Sequence, residues 1–565
     1  MPTINIEQSL LTWIQARHGI EHDPLRISTE LPLLGTDIGH CDSDTLEVEI
    51  FPNRPDLLCA ETLAHAIRPF IHGKDAQPSL AVIDGNISLT VDTSLAEVRP
   101  VILGAVVRGV DVGQTEEQRQ QFIKGLMEHQ EKLHFALGRG RRKASIGVHD
   151  LSALSPPFRV ITVARDYSFI PLGMTAEMSI EEILTEHPKG IDYAHLLDGM
   201  DKVPVILDAN DAVLSFPPII NGDHTTVSEQ STDFFIDVTG WDERTCEACL
   251  QLICLQLSAR GGVVEAVHIS PCSGDDFSSP DPTPLNHQVT RSLVSDILGW
   301  NFTDDQLSAV ISRMGGQFLG GDEMLQFAMP RWRFDILHPI DIVEDLAIGH
   351  GYDDLGSSLP ETPMSGEARP EAMLNRRVRE CMQGLGLQQV QSLTLSHEAD
   401  QFANVRWKPV GESTIITNPI TTEHTMLRQS ILPSLLRLIA SNRHHELPQC
   451  IYESGYCVRG HENTSRVAWL VADHKAGFSR ARGFAQILLR DLGADSATVT
   501  WEVVETGEGP WLAGRGARIK IDGRIIGEFG EVDPAVSEKF ELSVPMHGGE
   551  FDLEALLRAI PDPVL

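Results

Sequence analysis

A chain of 565 residues cannot close around one hydrophobic core. Single cores stop growing at roughly 250–300 residues, so the length predicts about three to five domains. The clearest boundary is SPCSGDDFSSPDPTP at 270–284, where Pro, Ser and Asp replace the apolar periodicity on either side and mark a linker. Four domains are expected: an N-terminal domain at 1–95, an α/β module at 98–270, a small winged-helix-like domain at 285–352, and an α+β domain built on an antiparallel sheet at 360–565.

Local signals support this division. VRPVILGAVVRGV (98–110) has the β-branched content of a strand, and Thr115-x-x-Gln118 offers a capping box to a helix carrying Phe122, Ile123, Leu126, Met127 and Leu133. Further strands read at 144–148, 158–164 and 234–240, and Ser179-x-x-Glu182 marks another helix start. VPVILDANDAVLSF (203–216) reads as a hairpin closed around Asp208 to Asp211. Beyond the linker, a helix is expected over about 288–298. A second follows from the capping box Thr303-x-x-Gln306 to Gly315, ahead of the strand LQFAMP. In the last part, strands are expected at 389–395 and 466–472, a helix near 479–492, and a hairpin turned by Asp522-Gly523.

Charge and cysteine usage narrow the function. A net charge of −35 argues against a chain that coats nucleic acid unaided, because phosphate binding rests on Lys and Arg. Contact with RNA would have to use local patches or a partner, and GRGRRK (138–143) and NRRVR (375–379) are the candidate patches, with solvated surface charge as the ordinary reading. The nine cysteines lack a framework of spacings and fit free thiols in a reducing compartment. Cys246-x2-Cys249-x4-Cys254 lies in a helical pattern without a second ligand pair, so burial outweighs zinc as its explanation. No apolar run approaches a membrane span, and MPTINIEQSLLTWI carries no basic segment or cleavage site, so the expected address is the cytoplasm.

The stretch DILHPIDIVEDLAIGHGYDDL (335–355) sets carboxylates among residues that want burial. A helix begun at Pro339 puts Asp341, Glu344 and Asp345 at i, i+3 and i+4 on one face, and Asp335 can fold back to join them. Converging oxygen ligands suit magnesium. Acids in a first helical turn are equally at home without an ion, and Arg331 or Arg333 could neutralise them instead.

Several segments in order, FPNRPDLL (51–58), SIGVHDL (145–151), LSFPPIING (214–222), FIDVTG (235–240), RWRFDILHPIDIVEDLAIGHGYD (331–353) and GEFGEVDP (527–534), together resemble the beta subunit of phenylalanyl-tRNA synthetase in its archaeal and eukaryotic form. The resemblance implies an α2β2 enzyme that joins phenylalanine to tRNA with ATP and magnesium. The alpha subunit would carry the ATP and the aminoacylation site. The beta subunit would supply an inactive core related to class II synthetase catalytic domains, an RNA-facing scaffold and an editing site. Consistent with that, residues 360–565 contain neither an FRxE-type nor a GxGxxR motif for arginines on ATP. The resemblance also places magnesium ligands on Asp335, Asp341, Glu344 and Asp345, near the interface between the two kinds of subunit.

Editing has its own physical rationale. Tyrosine exceeds phenylalanine by one hydroxyl, and an apolar pocket rejects such an addition only by about 100-fold. A second site must read the hydroxyl. In the 98–270 module the polar residues interrupting apolar strands are Ser215, Asp237 and Thr239, and the resemblance assigns them to the editing pocket. Asp237 is expected to hydrogen-bond substrate or water, Thr239 to orient water and Ser215 to line the pocket, with Asn221 and His149 as further candidates. Asp237 and Thr239 share a strand face by the period of two. The ordinary alternative is a set of turn caps and self-satisfied hydroxyls. Two rival functions are an assembly scaffold without working editing and a freestanding metal-dependent hydrolase built on the acidic cluster.

Overall fold

The computed structural model describes residues 2–560, apart from 75–76, 358 and 360–364. It divides into two compact units, residues 1–359 and 360–565, in a mixed α/β architecture with several separate sheets. Among the described residues no helix is long and apolar enough to cross a membrane.

The first unit is organised by an 11-stranded sheet. Its main path runs Ile220–Asn221, Val213–Phe216, Lys202–Leu207, Phe158–Ala164, Ser88–Val91, Val263–Ser270, Val101–Arg108, Phe234–Gly240 and Ala144–Asp150. The sheet curls until its ends meet: Asn221 Nδ2 donates to the Val148 carbonyl at 3.4 Å, joining the first strand of the path to the last. The helix Glu116–Ala136 starts at the expected capping box, with both Thr115 and Gln118 bonds formed, and buries Phe122, Leu126 and Leu133. Buried along most of its length, the helix Glu243–Ala259 lies between this sheet and the helix Ala60–His72.

Two expectations are corrected here. The 270–284 segment is not a free linker. Phe277–Ser279 pairs with Val263–Ser270, and Ser279 Oγ donates to the Gly104 carbonyl at 2.7 Å, so a strand hides among the turn-forming residues. The helix expected from about 288 starts at Arg291 instead. Residues Leu285–Thr290 pair with Met324–Met329, and the β-branched Val289 and Thr290 serve the strand before Thr290 caps the helix. The helix Asp304–Arg313 has its full capping box at Thr303 and Gln306.

The second unit carries a seven-stranded sheet in the order Gln388–Gln389, Gln449–Arg459, Glu462–Ala472, Met546–Asp552, Arg524–Val532, Trp511–Ile521, Val499–Val503. Every pairing is antiparallel except the first. The period of two assigns its faces. Val467, Trp469 and Val471 pack with the helices Pro370–Gly384 and Phe478–Asp491, while Ala468, Leu470 and Ala472 pack with Leu432–Ser441. Asp522 and Gly523, at φ of 48° and 78°, form the left-handed two-residue turn that their types favour. The strand expected at 389–395 is instead two short pieces, Gln388–Gln389 and Leu395–Ser396, in different sheets.

Candidate functional site

The two antiparallel strands Phe234–Gly240 and Ala144–Asp150 place Phe235 opposite His149, Asp237 opposite Gly147 and Thr239 opposite Ser145. All six share one sheet face, because side chains alternate. On it, His149 Nε2 donates to Asp237 Oδ2 at 2.7 Å, and the other ring nitrogen lies 2.8 Å from Thr225 Oγ1. The imidazole also stacks on Phe235 with centroids 6.0 Å apart. Asp237 and His149 are 1% and 0% exposed, and a carboxylate so buried needs such a partner. Gly147 makes the pair feasible: a Cβ there would collide with Asp237 Oδ2 and stand 2.8 Å from His149 Nε2.

Above this pair, between the curled ends of the sheet, lies a cavity of about 320 Å³, at the small end of the range for ligand sites. One part of its wall is apolar, including Ile123, Met127, Val148, Leu172 and Ile220, with Asp237, Ser145, Ser215 and Asn221 as polar interruptions. Ser215 Oγ donates to Asn221 Oδ1 at 3.2 Å, so Ser215 both lines the cavity and positions the residue that ties the sheet ends together.

The other polar margin comes from the helix Glu116–Ala136 and the turn after it. Arg141 donates to the carbonyls of Pro218 and Ile219 at 3.2 and 2.9 Å and to Glu131 at 2.6 Å. Its guanidinium lies 4.2 Å from the Tyr193 ring centroid. The Ile146 amide donates to His134 Nε2 at 2.8 Å, so in the neutral ring Nδ1 carries the proton. Burial lowers the His134 pKa and favours that neutral ring. His134, with Arg141 and Lys189 adding to it, holds the Glu131 carboxyl down to about 2 against its partial burial. Arg141 Nε is a buried donor without a hydrogen-bond partner, while His134 Nδ1 faces Glu131 Oε1 at 3.6 Å.

Thr239 is on the expected face but outside the cavity wall. Its hydroxyl accepts from Arg99 Nε at 2.8 Å and pairs with Ser145 Oγ at 3.0 Å. Arg99 also donates to the carbonyls of Thr239 and Arg141. Thr239 is therefore a strut that fixes Ser145 and the start of the Arg141 turn. Burial pulls the Arg99 pKa down to about 10, while Cys246 and Asp237 oppose that shift. Sequence reasoning missed Arg99, His134 and Gly147, and read Arg141 only as part of a basic patch. Only Gly147 carried a signal, as a glycine interrupting the alternating strand SIGVHD.

The acidic stretch does not gather as its spacing suggested. Arg333 Nε and Nη2 grip Asp335 at 2.9 and 2.7 Å, and Nη2 also donates to Asp345 Oδ1 at 2.8 Å. Asp341 accepts the Leu337 and His338 amides at 2.7 Å, and Glu344 is exposed. Among the described residues no three His, Cys, Asp or Glu side chains are grouped to hold a metal ion. Asp345 Oδ2 is left without a partner, yet one free oxygen is not a ligand set. The expectation that all four acids converge is thus corrected: a guanidinium takes two and a helix start takes one. With two carboxylates competing for one guanidinium, Arg333 holds the Asp335 pKa down although burial opposes it, whereas burial pushes that of Asp345 up.

Cys246, Cys249 and Cys254 are free and buried on one helix, and burial pushes the Cys246 thiol up to about 12. In the second basic patch, Arg377 donates to the Leu492 carbonyl, while Arg376 and Arg379 are exposed.

Comparison with known proteins fits these arrangements. Residues 98–255 match the family described as "B3/4 domain", 287–352 the "tRNA synthetase B5 domain" and 355–553 the "Phenylalanyl tRNA synthetase beta chain CLM domain". The phenylalanine–tRNA ligase beta subunit of Archaeoglobus fulgidus is 39% identical over 96% of this chain and 98% of its own length. That of Methanothrix thermoacetophila is 39% identical over 93% and 96%. Among solved structures, an N-terminal fragment of the phenylalanyl-tRNA synthetase beta subunit from Pyrococcus horikoshii is 27% identical with a TM-score of 0.57, covering 62% of this chain and 100% of the fragment. The chain belongs to the family of phenylalanine–tRNA ligase beta subunits.

Proposed function

We propose that this beta subunit completes an ATP-dependent phenylalanine–tRNA ligase with an alpha chain, as an α2β2 assembly, and uses the cavity beside Asp237 to hydrolyse tyrosyl-tRNA made in error. One observation carries the editing reading: Asp237, held by the buried His149, sets a carboxylate into the wall of a cavity of about 320 Å³ beside its apolar residues. A tyrosyl hydroxyl delivered there finds a carboxylate oxygen to accept its proton, and a phenylalanyl ring leaves that group without a new partner. Sites that hydrogen-bond a hydroxyl reject the analogue lacking it far better than apolar pockets reject the addition.

In the hydrolysis, water oxygen bonds to the ester carbonyl carbon and the bond to the ribose oxygen breaks. One proton goes to that ribose oxygen and the other to solvent. The partnerless Nε–H of Arg141 is a donor for the carbonyl oxygen as it gains charge. His134 is not the base, since its Nε2 lone pair is held by the Ile146 amide. Ser215 and Asn221 orient the water, and Thr239 acts only through Arg99 and Ser145.

The lack of FRxE-type and GxGxxR motifs in residues 360–565 supports leaving ATP and its magnesium to the alpha subunit. In the second unit Arg428 is committed to Glu453 at 2.6 Å, Arg466 to Glu550 and Arg515 to Glu531 at 2.6 Å. No step is routed through a metal at Asp335, Asp341, Glu344 and Asp345. The test is reconstitution: the purified chain alone forms no phenylalanyl-adenylate, whereas the pair with its alpha chain charges tRNA with phenylalanine and deacylates tyrosyl-tRNA. Adenylate formation by the solitary chain would refute the division of labour.

A further inference from the structure

The cavity has a basic lip whose purpose the hydrolysis does not use. The turn after the helix Glu116–Ala136 points its arginines two ways. Arg141, at φ 66°, turns inward and pins the turn to the carbonyls of Pro218 and Ile219. Arg139 and Arg142 stay exposed. Phe135 stands one helical turn beyond Glu131, on the same stripe of the helix. Glu131 lines the cavity, yet Phe135 is 80% exposed. A second exposed aromatic, Trp241 at 48%, is tied to this turn by its amide, which donates to the Lys143 carbonyl at 3.0 Å.

An aromatic ring left in water is unremarkable alone. Here it lies four and seven residues ahead of two exposed guanidinium groups in a chain of net charge −35, beside the turn whose Arg141 lines the cavity. Neither Arg139 nor Arg142 has a carboxylate partner among the ion pairs of the described residues. Rings that stack bases between cations that meet phosphates are the construction of a single-strand nucleic-acid surface.

We propose that the 135–143 turn is an entry platform for a single-stranded RNA 3′ end, with Phe135 stacking on a base, Arg139 and Arg142 pairing with phosphates, and Arg141 holding the turn against the cavity roof. This rests on the reading of the cavity as an ester-hydrolysing site, and it supplies the route by which the ester reaches it. It also orients the substrate: the ribose end enters past Arg141 and the amino-acid side chain points toward Asp237.

The experiment uses the full chain assembled with its alpha partner. A short single-stranded RNA with a free 3′ end is titrated by fluorescence anisotropy at several salt concentrations, and deacylation of tyrosyl-tRNA is followed in parallel. Phe135→Ala is expected to weaken RNA binding roughly tenfold, the lower range of base stacking, without changing the salt dependence, and Phe135→Trp to restore it. The double variant Arg139→Ala with Arg142→Ala is expected to lower the slope of log affinity against log salt by about 1.4, two single-strand phosphates' worth. Both variants raise KM for deacylation and leave kcat in place. Asp237→Ala, as control, abolishes deacylation and leaves RNA affinity unchanged. If RNA affinity falls as described while even the wild type fails to deacylate, the platform stands and the editing reading falls. Unchanged RNA affinity in both surface variants overturns the platform. So does loss of association with the alpha chain, which would mark the turn as a protein interface.

Discussion

Gly147→Ala tests the site through a cavity-lining residue that has no side chain of its own. The added Cβ would stand 2.8 Å from His149 Nε2 and 2.9 Å from Asp237 Cγ, well inside the 3.4 Å where ordinary contact begins, and it would collide outright with Asp237 Oδ2. The opposing atoms are a buried carboxylate and a buried imidazole on paired strands, so neither can swing into solvent. Overpacking of this kind costs about 1–3 kcal/mol. Separating the pair adds part of the roughly 3–5 kcal/mol lost when a buried charge is left alone. A total near 3 kcal/mol lowers the melting temperature of the unit by about 6–12 °C, at 2–4 °C per kcal/mol for large domains. Displacing the carboxylate by about 1 Å costs on the order of 100-fold in deacylation. The assay is tyrosyl-tRNA deacylation by the assembled enzyme, with phenylalanine charging as the internal control. Wild-type deacylation in Gly147→Ala would refute the claim that the Asp237–His149 geometry matters.

Three further outcomes follow from the same contacts. Arg99→Met removes the donors to Thr239, Ser145 and the Arg141 carbonyl and should destabilise the first unit by about 2–4 kcal/mol, read as a lower thermal midpoint; an unchanged midpoint would show that Thr239 is not a strut. Arg333→Met leaves Asp335 and Asp345 buried without their cation and should cost about 3–5 kcal/mol, a loss that denaturant titration measures and that magnesium should not restore. Chelation of divalent ions should leave the melting temperature of the isolated chain unchanged, because three of the four acids are already engaged by Arg333 or a helix start; a drop reversed by magnesium would reinstate the metal site.

What the sequence revealed followed the reach of each signal. Capping boxes at Thr115, Ser179 and Thr303 all formed, since their partners lie three residues away. Asp522-Gly523 turned its hairpin because backbone preference suffices there. Strand periodicity put Asp237 and Thr239 on one face, but the face alone does not say what covers it. Arg99, which takes Thr239 out of the cavity, is 140 residues away. The acidic stretch misled for the opposite reason. Helical spacing aligns backbone positions, whereas Arg333 and the Leu337 and His338 amides decided where the carboxylates went. Arg141 was read as one member of a charged run, and only the approach of Pro218 and Ile219, more than 70 residues along, separates it from its exposed neighbours.

The central claim is that the Asp237 cavity removes tyrosine from tRNA. The direct measurement compares hydrolysis of tyrosyl-tRNA and phenylalanyl-tRNA by the assembled enzyme, wild type against Asp237→Ala. The account predicts fast release of tyrosine over phenylalanine by the wild type, a fall of at least 100-fold in the variant, and intact phenylalanine charging in both. Equal tyrosine release by the two enzymes would contradict it.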